Sequence, residues 1–210
     1  MPPIPAWGLG LCTFGTLWLC LWRARWRLLG VPLLLLGLAS GAWQRPPDIL
    51  VSADARLIGL RAGQGLAVQK LAGASGLTRG DWSRLYGATG DTLLPKAGRF
   101  SAEGIACTTG TCVLQPAPDA PAAVLLRGAA PAEACAAAAL VVSAEPVRGH
   151  CAAQVVDRFA VWRNGAHAIW LEPGGVRVLS DRAARGTRPW VPSVPVPRGT
   201  PSQDPPATIE

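Results

Sequence analysis

Residues 4–43 read IPAWGLGLCTFGTLWLCLW, then RARWR, then LLGVPLLLLGLASGAW. Two apolar runs, Ile4–Trp22 and Leu28–Trp43, thus flank a basic linker carrying Arg23, Arg25 and Arg27. A helix needs about 20 apolar residues to cross a hydrocarbon core of about 30 Å. The first run has that length. The second is shorter and contains Pro32, yet it carries no charge before Arg45. The expected architecture is a transmembrane helical hairpin over residues 1–45, with a soluble domain hung from its end. A cleavable signal peptide opens with positive charge, and nothing before Arg23 is charged. A hairpin buried in a soluble core is opposed by the tryptophans: Trp7 and Trp43 fall at one end, Trp18, Trp22 and Trp26 at the other, as in an aromatic belt at each membrane face.

The arginine-rich linker favours the cytoplasmic side, so both ends of the hairpin and the domain that follows are expected outside the cytoplasm. Gly37 and Gly41 form a G-x-x-x-G spacing, and Gly8, Gly10 and Gly15 supply small positions on the first run. Small residues let helix backbones approach closely. Membrane lipid and other membrane helices are therefore the expected partners of residues 1–45.

Cysteine usage agrees with an outside location. Cys12 and Cys20 lie in the first apolar run, while Cys107, Cys112, Cys135 and Cys151 lie in the soluble part. Four cysteines allow three pairings; the sequence-local choice is Cys107 with Cys112 and Cys135 with Cys151. Disulfides persist in oxidising compartments and are rare in the cytosol. A zinc site using His150 or His167 is the alternative, but structural zinc sites show close C-x(2–4)-C pairs, and only Cys107 and Cys112 approach that spacing. His150 and Cys151 adjoin in sequence, and neighbours on an extended chain point to opposite faces.

The soluble region reads as mixed α/β. Strands are expected at Asp48–Ser52, Arg56–Arg61 and Leu66–Leu71, with a turn at Ala53-Asp54. Thr78-Arg79-Gly80-Asp81 resembles a capping box opening a short helix that stops at Gly87. Ile105–Cys107 and Cys112–Gln115 suit a hairpin, and Val124–Arg127 and Leu140–Ser143 suit buried strands. Pro131 fits the first turn of a helix continuing through Ala132–Ala139. Asp157 caps a helix carrying Phe159 and Trp162 that ends before Gly165. Ala166–Leu171 and Val176–Ser180 pair around Pro173-Gly174-Gly175. The folded domain is thus expected over 46–190, followed by a disordered Pro-rich tail over 191–210.

Catalytic chemistry is thin. The histidines are His150 and His167, and no metallohydrolase motif or G-x-x-x-x-G-K-[ST] phosphate loop occurs. The aspartates are scattered and read as turn and cap residues. No enzymatic activity and no cofactor are expected. The chain carries a net charge of +7 from 20 basic and 13 acidic residues; Arg23, Arg25, Arg27 and Arg45 precede Pro46 and no acidic residue does, so residues 46–210 keep +3. Arg177, Arg182, Arg185 and Arg188, near Trp190, form the densest basic patch of the soluble part. Basic side chains interleaved with aromatics can contact nucleic-acid phosphates and bases; a solvated surface or contact with anionic lipid is the plainer reading.

The run Trp22-Arg23-Ala24-Arg25-Trp26-Arg27 through Pro46-Pro47-Asp48-Ile49-Leu50-Val51-Ser52 resembles the ComEC family of competence membrane proteins. So do Trp162-Arg163-Asn164-Gly165-Ala166-His167-Ala168-Ile169-Trp170-Leu171 and Arg185-Gly186-Thr187-Arg188-Pro189-Trp190. The resemblance extends to Trp190 and covers the C-terminal end of such a protein: the last two helices of its channel and the soluble region after them. It implies the bacterial inner membrane, a multi-pass channel, a periplasmic soluble domain, and single-stranded DNA as a partner during natural transformation. Many members end in a metallo-β-lactamase-like domain. Here Val124-Leu125-Leu126-Arg127-Gly128 stands where the family has an apolar strand ending in Gly-Asp, and Val141-Val142-Ser143-Ala144-Glu145-Pro146 stands where it has a histidine-bearing turn. The resemblance therefore implies a degenerate, non-catalytic metallo-β-lactamase-like fold, in a chain whose Met1 begins a fragment or split product. A membrane-anchored periplasmic structural or interaction domain without a nucleic-acid role is the alternative expectation.

Overall fold

The computed structural model describes residues 4–191 apart from residues 64, 89, 96, 97, 129–134, 137 and 187. The tail expected over 191–210 lies, beyond Val191, outside the described residues, as does the Pro131 start of the expected helix.

Helix α1 spans Ala6–Leu21. Trp22 turns to extended backbone, and a 3-10 turn over Arg25–Leu29 leads into α2, Gly30–Ala39, which closes with a second 3-10 turn, Ser40–Trp43. Pro32 sits in the first turn of α2, where its missing N–H has no intrahelical partner to lose. The lengths reverse the sequence expectation. The basic linker joins the second helical stretch, so Arg25–Trp43, with 19 residues, is long and apolar enough to cross a membrane. Helix α1 has 16 residues and spans about 24 Å at about 1.5 Å per residue.

The two helices meet through their smallest residues. Gly8 and Gly15 are the buried positions of α1, and Gly30 and Gly37 those of α2. A Cβ on Gly15 would stand 2.8 Å from the Gly30 carbonyl oxygen, and one on Gly37 would stand 2.7 Å from that of Gly8. Gly10, also expected as a contact position, faces open space. The large side chains point outward, Leu9, Phe14, Leu17, Leu35, Leu36 and Leu38 among them. Trp7 and Trp43 stack at the open end with ring centroids 6.0 Å apart, and Trp18 Nε1 donates to the Trp26 carbonyl at the linker end, 3.0 Å.

Two six-stranded sheets follow. The first contains β1 (Ile49–Val51), β2 (Leu57–Ala62), β3 (Gly65–Lys70), β4 (Asp91–Leu93), β11 (His167–Glu172) and β12 (Gly175–Ser180), in the order β12-β11-β1-β2-β3-β4. The second contains β5 (Phe100–Ala102), β6 (Ile105–Cys107), β7 (Thr111–Leu114), β8 (Ala123–Leu126), β9 (Leu140–Ser143) and β10 (Gln154–Val156), in the order β10-β9-β8-β7-β6-β5. The chain passes from one sheet to the other after β4 and returns before β11. Both sheets supply one core: Ile49, Val51, Ile58, Leu60, Ile169 and Leu171 on one side, Ile105, Leu114, Leu125, Leu140 and Val142 on the other. Strands β8 and β9 are buried along their whole length, as an uninterrupted apolar run predicts for a strand covered on both faces.

A helical layer covers the outer face of the first sheet. Helix α3, Gly76–Leu85, brings Trp82, with Tyr86 just beyond its end, onto Leu57, Leu66 and Val68. Gly59 lies beneath the Trp82 ring, where a Cβ would meet it at 3.0 Å. The cap of α3 is Ser75, whose Oγ accepts from Thr78 N, one turn earlier than the expected box at Thr78. On the outer face of the second sheet, Val124, Leu126 and Val141 pack against Cys135, Ala138, Val147 and Cys151. Helix α4, Arg158–Asn164, is capped by Asp157, whose Oδ1 accepts from Ala160 N at 2.9 Å. Helix α5, Asp181–Arg185, follows β12.

The junction between hairpin and domain is pinned by a buried carboxylate. Asp48 is fully buried; its Oδ2 accepts from Leu171 N at 2.9 Å and its two oxygens from Arg45 at 3.1 Å. Arg61 approaches the same carboxylate from β2 at 3.8 Å. Beside it, Trp170 Nε1 donates to the Arg45 carbonyl and the Tyr86 hydroxyl to that of Pro47. Burial, with the Asp48 charge adding to it, pushes the Tyr86 phenol above its ordinary range.

Candidate nucleic-acid interface

Strand β1 leaves the hairpin at Asp48 and leads to the turn Ala53-Asp54-Ala55-Arg56, so within the first sheet this turn lies on the side away from the hairpin. Strand β11 runs back beside β1, with His167 opposite Val51 and Ile169 opposite Ile49. Side chains near His167 and Ser180 are therefore remote from the hairpin, and those near Leu171 and Gly175 are close to it.

This axis divides the four arginines expected to act together. Arg177 is on β12 opposite Trp170, toward the hairpin. Its guanidinium lies 3.8 Å over the Trp170 ring, and its Nε donates to Glu172 Oε1 at 3.1 Å. Arg182 and Arg185 lie on α5, at the remote end. Arg182 Nε donates to the Arg163 carbonyl on α4, 3.3 Å, and Arg185 Nε bonds Asp181 Oδ1, 2.8 Å. Arg188 lies 5.6 Å over the Trp190 ring. The patch is thus divided between the middle of β12, where Arg177 lies, and the helix after its C-terminal end, where Arg182 and Arg185 lie, and two of its charges are matched by carboxylates.

A second exposed surface was not singled out by the sequence. The sequence places Phe159 and Trp162 on the helix capped by Asp157 and assigns them no role. In the structure α4 buries Val161 alone, and Phe159 and Trp162 are 53% and 54% exposed. The helical wheel explains it. At about 100° per residue, Arg158, Trp162, Phe159 and Arg163 follow one another around one arc, and Val161 falls on the opposite side. The wheel thus sets the two aromatic positions next to each other, between the two arginine positions. This order was readable from Arg158-Phe159-Ala160-Val161-Trp162-Arg163 once the core face was assigned to Val161.

Concave surfaces border this face. A cavity of about 350 Å³ is lined by Pro146, Arg158, Phe159 and Trp162. One of about 400 Å³ joins Trp162 and Arg158 to the turn at Ala53, Asp54 and Arg56. A third, about 430 Å³, joins Phe159 and Arg163 to His150 and Cys151. The nearby carboxylates are already engaged. Asp157 caps α4 and accepts from Val147 N. Asp181 holds Arg185. Burial pushes the Asp54 carboxyl up, but the Ser52 hydroxyl, the backbone around it and the Arg56 charge outweigh that and hold it below its ordinary range. Among the described residues, Arg158 and Arg163 have no side-chain partner.

The cysteines fall as the local pairing predicts. Cys107 and Cys112 face each other across β6 and β7 with sulfurs 2.03 Å apart, and Cys135 and Cys151 stand at 2.15 Å on the outer face of the second sheet. Among the described residues, no group of three or more His, Cys, Asp or Glu side chains is placed to hold a metal ion. His150 lines the concavity beside Phe159, while His167 is buried on β11, where desolvation lowers its pKa. A further cavity of about 500 Å³ lies where the ends of β3 and β8 meet, lined by Lys70, Leu94 and Arg127. Arg127 spans it, donating to the carbonyls of Pro95 and Gly98.

Compared with known protein families, with curated proteins and with solved structures, the chain matches none.

Proposed function

We propose that this chain is the C-terminal part of a ComEC-like DNA-uptake protein of the bacterial inner membrane, its two N-terminal helices belonging to a multi-pass channel and its disulfide-bearing domain lying in the periplasm. One observation carries the membrane half of this reading: the hairpin is inside out. Glycines fill its interior and leucines and tryptophans cover its surface. A helix of a water-soluble core hides its large apolar side chains, yet only 22% of the 18-residue window within Arg25–Trp43 is buried. Lipid, and other helices of the same channel, are the surroundings this surface fits.

The domain half rests on the residues that resemble the family. Two face-to-face sheets with helical material outside suit a metallo-β-lactamase-like layering. At the strand end where the family has Gly-Asp, no Asp follows Gly128 here, and the guanidinium of the preceding Arg127 is held by two carbonyls. A cation there suits a domain that guides or gates single-stranded DNA without cutting it.

The test is natural transformation of the source bacterium with the coding sequence deleted in frame. Loss of transformants, with surface binding of double-stranded DNA retained, is the expected outcome. A reporter fused after Pro47 adds the topology: activity of a periplasmic reporter is expected, and activity of a cytoplasmic one overturns the placement. The pairing of Arg177 with Glu172 and of Arg185 with Asp181 favours the second reading, a membrane-anchored structural domain without a nucleic-acid role; unchanged transformation supports it.

A further inference from the structure

We propose that the exposed face of α4 is a stacking platform for the unpaired bases of single-stranded nucleic acid, with Phe159 and Trp162 receiving bases and Arg158 and Arg163 receiving the adjoining phosphates. It rests on the DNA-uptake reading and names the surface that does the binding. Two large aromatic rings over half exposed on a seven-residue helix are an apolar surface with no partner in the fold. The four residues alternate in chemistry around one arc, cation, ring, ring, cation. Single-strand binders combine these two elements: aromatic faces that accept any base and positive charge that tracks the backbone.

Charge complementarity selects the ligand. Arg158 and Arg163 are unpaired among the described residues, Arg56 lines the concavity beside Trp162, and the carboxylates close by are committed to a cap, a turn and α5. Arg56, Arg158 and Arg163, with Arg182 and Arg185 of α5, outnumber Asp54, Glu145, Asp157 and Asp181, and hydrogen bonding leaves a carboxylate's charge in place, so the face keeps a small positive excess that suits a polyanion. A protein surface of ordinary composition offers no such excess of negative charge. Lipid headgroups do, but this face borders the turn on the side of the first sheet away from the hairpin. The ring-lined cavity of about 350 Å³ lies within the range of small-ligand clefts, about 300–1,000 Å³. Side chains three apart on a helix stand about 5–6 Å from each other at Cβ, so successive unstacked bases can each take one ring.

The test uses the full chain in detergent micelles and a fluorescent single-stranded oligothymidine, read by anisotropy across a salt series. Phe159→Leu with Trp162→Leu keeps an apolar surface and removes the ring faces; binding is expected to weaken about tenfold or more. An abasic oligomer of the same backbone is the control, and its weaker binding is expected to be unmoved by this double variant. Arg158→Gln with Arg163→Gln is expected to lower the salt slope by about 1.4, at about 0.7 per phosphate contact. All four side chains are exposed, and an unchanged thermal unfolding curve verifies the fold. If the wild-type chain binds oligothymidine and the leucine variant binds equally well, this platform is wrong and the DNA-uptake reading stands. If the wild-type chain binds no single strand, both fail. If the variants instead release the chain from phosphatidylglycerol vesicles while oligothymidine binding is unmoved, the face contacts lipid and the proposal is overturned.

Discussion

The hairpin and the sandwich are built from the same apolar alphabet in opposite arrangements. In the sandwich, Leu57, Leu140 and Leu171 are wholly buried. In the hairpin the glycines are inside, and Leu17 is 59% exposed. Close-packed leucines gain from leaving water. Close-packed glycines bury little apolar area and gain chiefly from backbone proximity, an arrangement that is worthwhile where the surroundings already solvate the leucines. The contrast shows that burial ranks residues by their solvent, not by their chemistry alone.

The comparison can be broken most directly by truncating one leucine on each side. Leu140→Ala is expected to cost about 2–5 kcal/mol in urea unfolding of the domain, and Leu17→Ala about 0.5 kcal/mol or less; equal effects would end the distinction. Removing the Cys135–Cys151 staple by a double serine substitution is expected to cost about 3 kcal/mol, and removing the shorter Cys107–Cys112 loop about 2 kcal/mol. Both differences are measured under oxidising conditions and vanish with reductant. Replacing Cys12 and Cys20 by serine leaves this unfolding unchanged in either condition. On the hairpin side, Gly15→Leu drives a side chain into the Gly30 carbonyl and is expected to cost about 1–3 kcal/mol of helix packing. The yield of a thiol cross-link between Cys12 and Leu34→Cys, in a Cys20→Ser background, reads this out, with Gly10→Leu as the neutral partner.

The smallest expected effect is a pH dependence of the sandwich. Burial lowers the folded-state pKa of His167, whereas the unfolded chain titrates near pH 6.5. Below about that pH the unfolded state takes up a proton that the folded state resists, so stability is full above it and falls on acidification toward the folded pKa. His167→Gln is expected to flatten that acid limb of the urea midpoint.

Period and punctuation made much of this fold legible. The expected strand Ala166–Leu171 matches β11, His167–Glu172, which buries His167, Ile169 and Leu171 in alternation. The Asp157 cap and the paired strands about Pro173-Gly174-Gly175 were visible for local reasons. Three other strands were not, although β1 and β6, equally short, were expected from their apolar runs. Phe100–Ala102, Asp91–Leu93 and Gln154–Val156 have three residues each, too few for a period to register, and sheet neighbours supply their stability. Counting charge along the chain grouped Arg177 with Arg182 and Arg185, whereas the structure puts Arg177 within β12 against Trp170 and the other two on the helix after it. The exposed face of α4 was not legible because the sequence alone does not say which side of a seven-residue helix meets the core; the structure turns Val161 inward and leaves Phe159 and Trp162 exposed.

The pinned junction has a mechanical corollary. Residues 45–48 are fastened through the Arg45 carbonyl, the Pro47 carbonyl and the Asp48 carboxylate, leaving no slack peptide to serve as a swivel. A tug on the far tip of the domain is delivered to the base of the second helix as leverage, with the two sheets acting as the rigid arm.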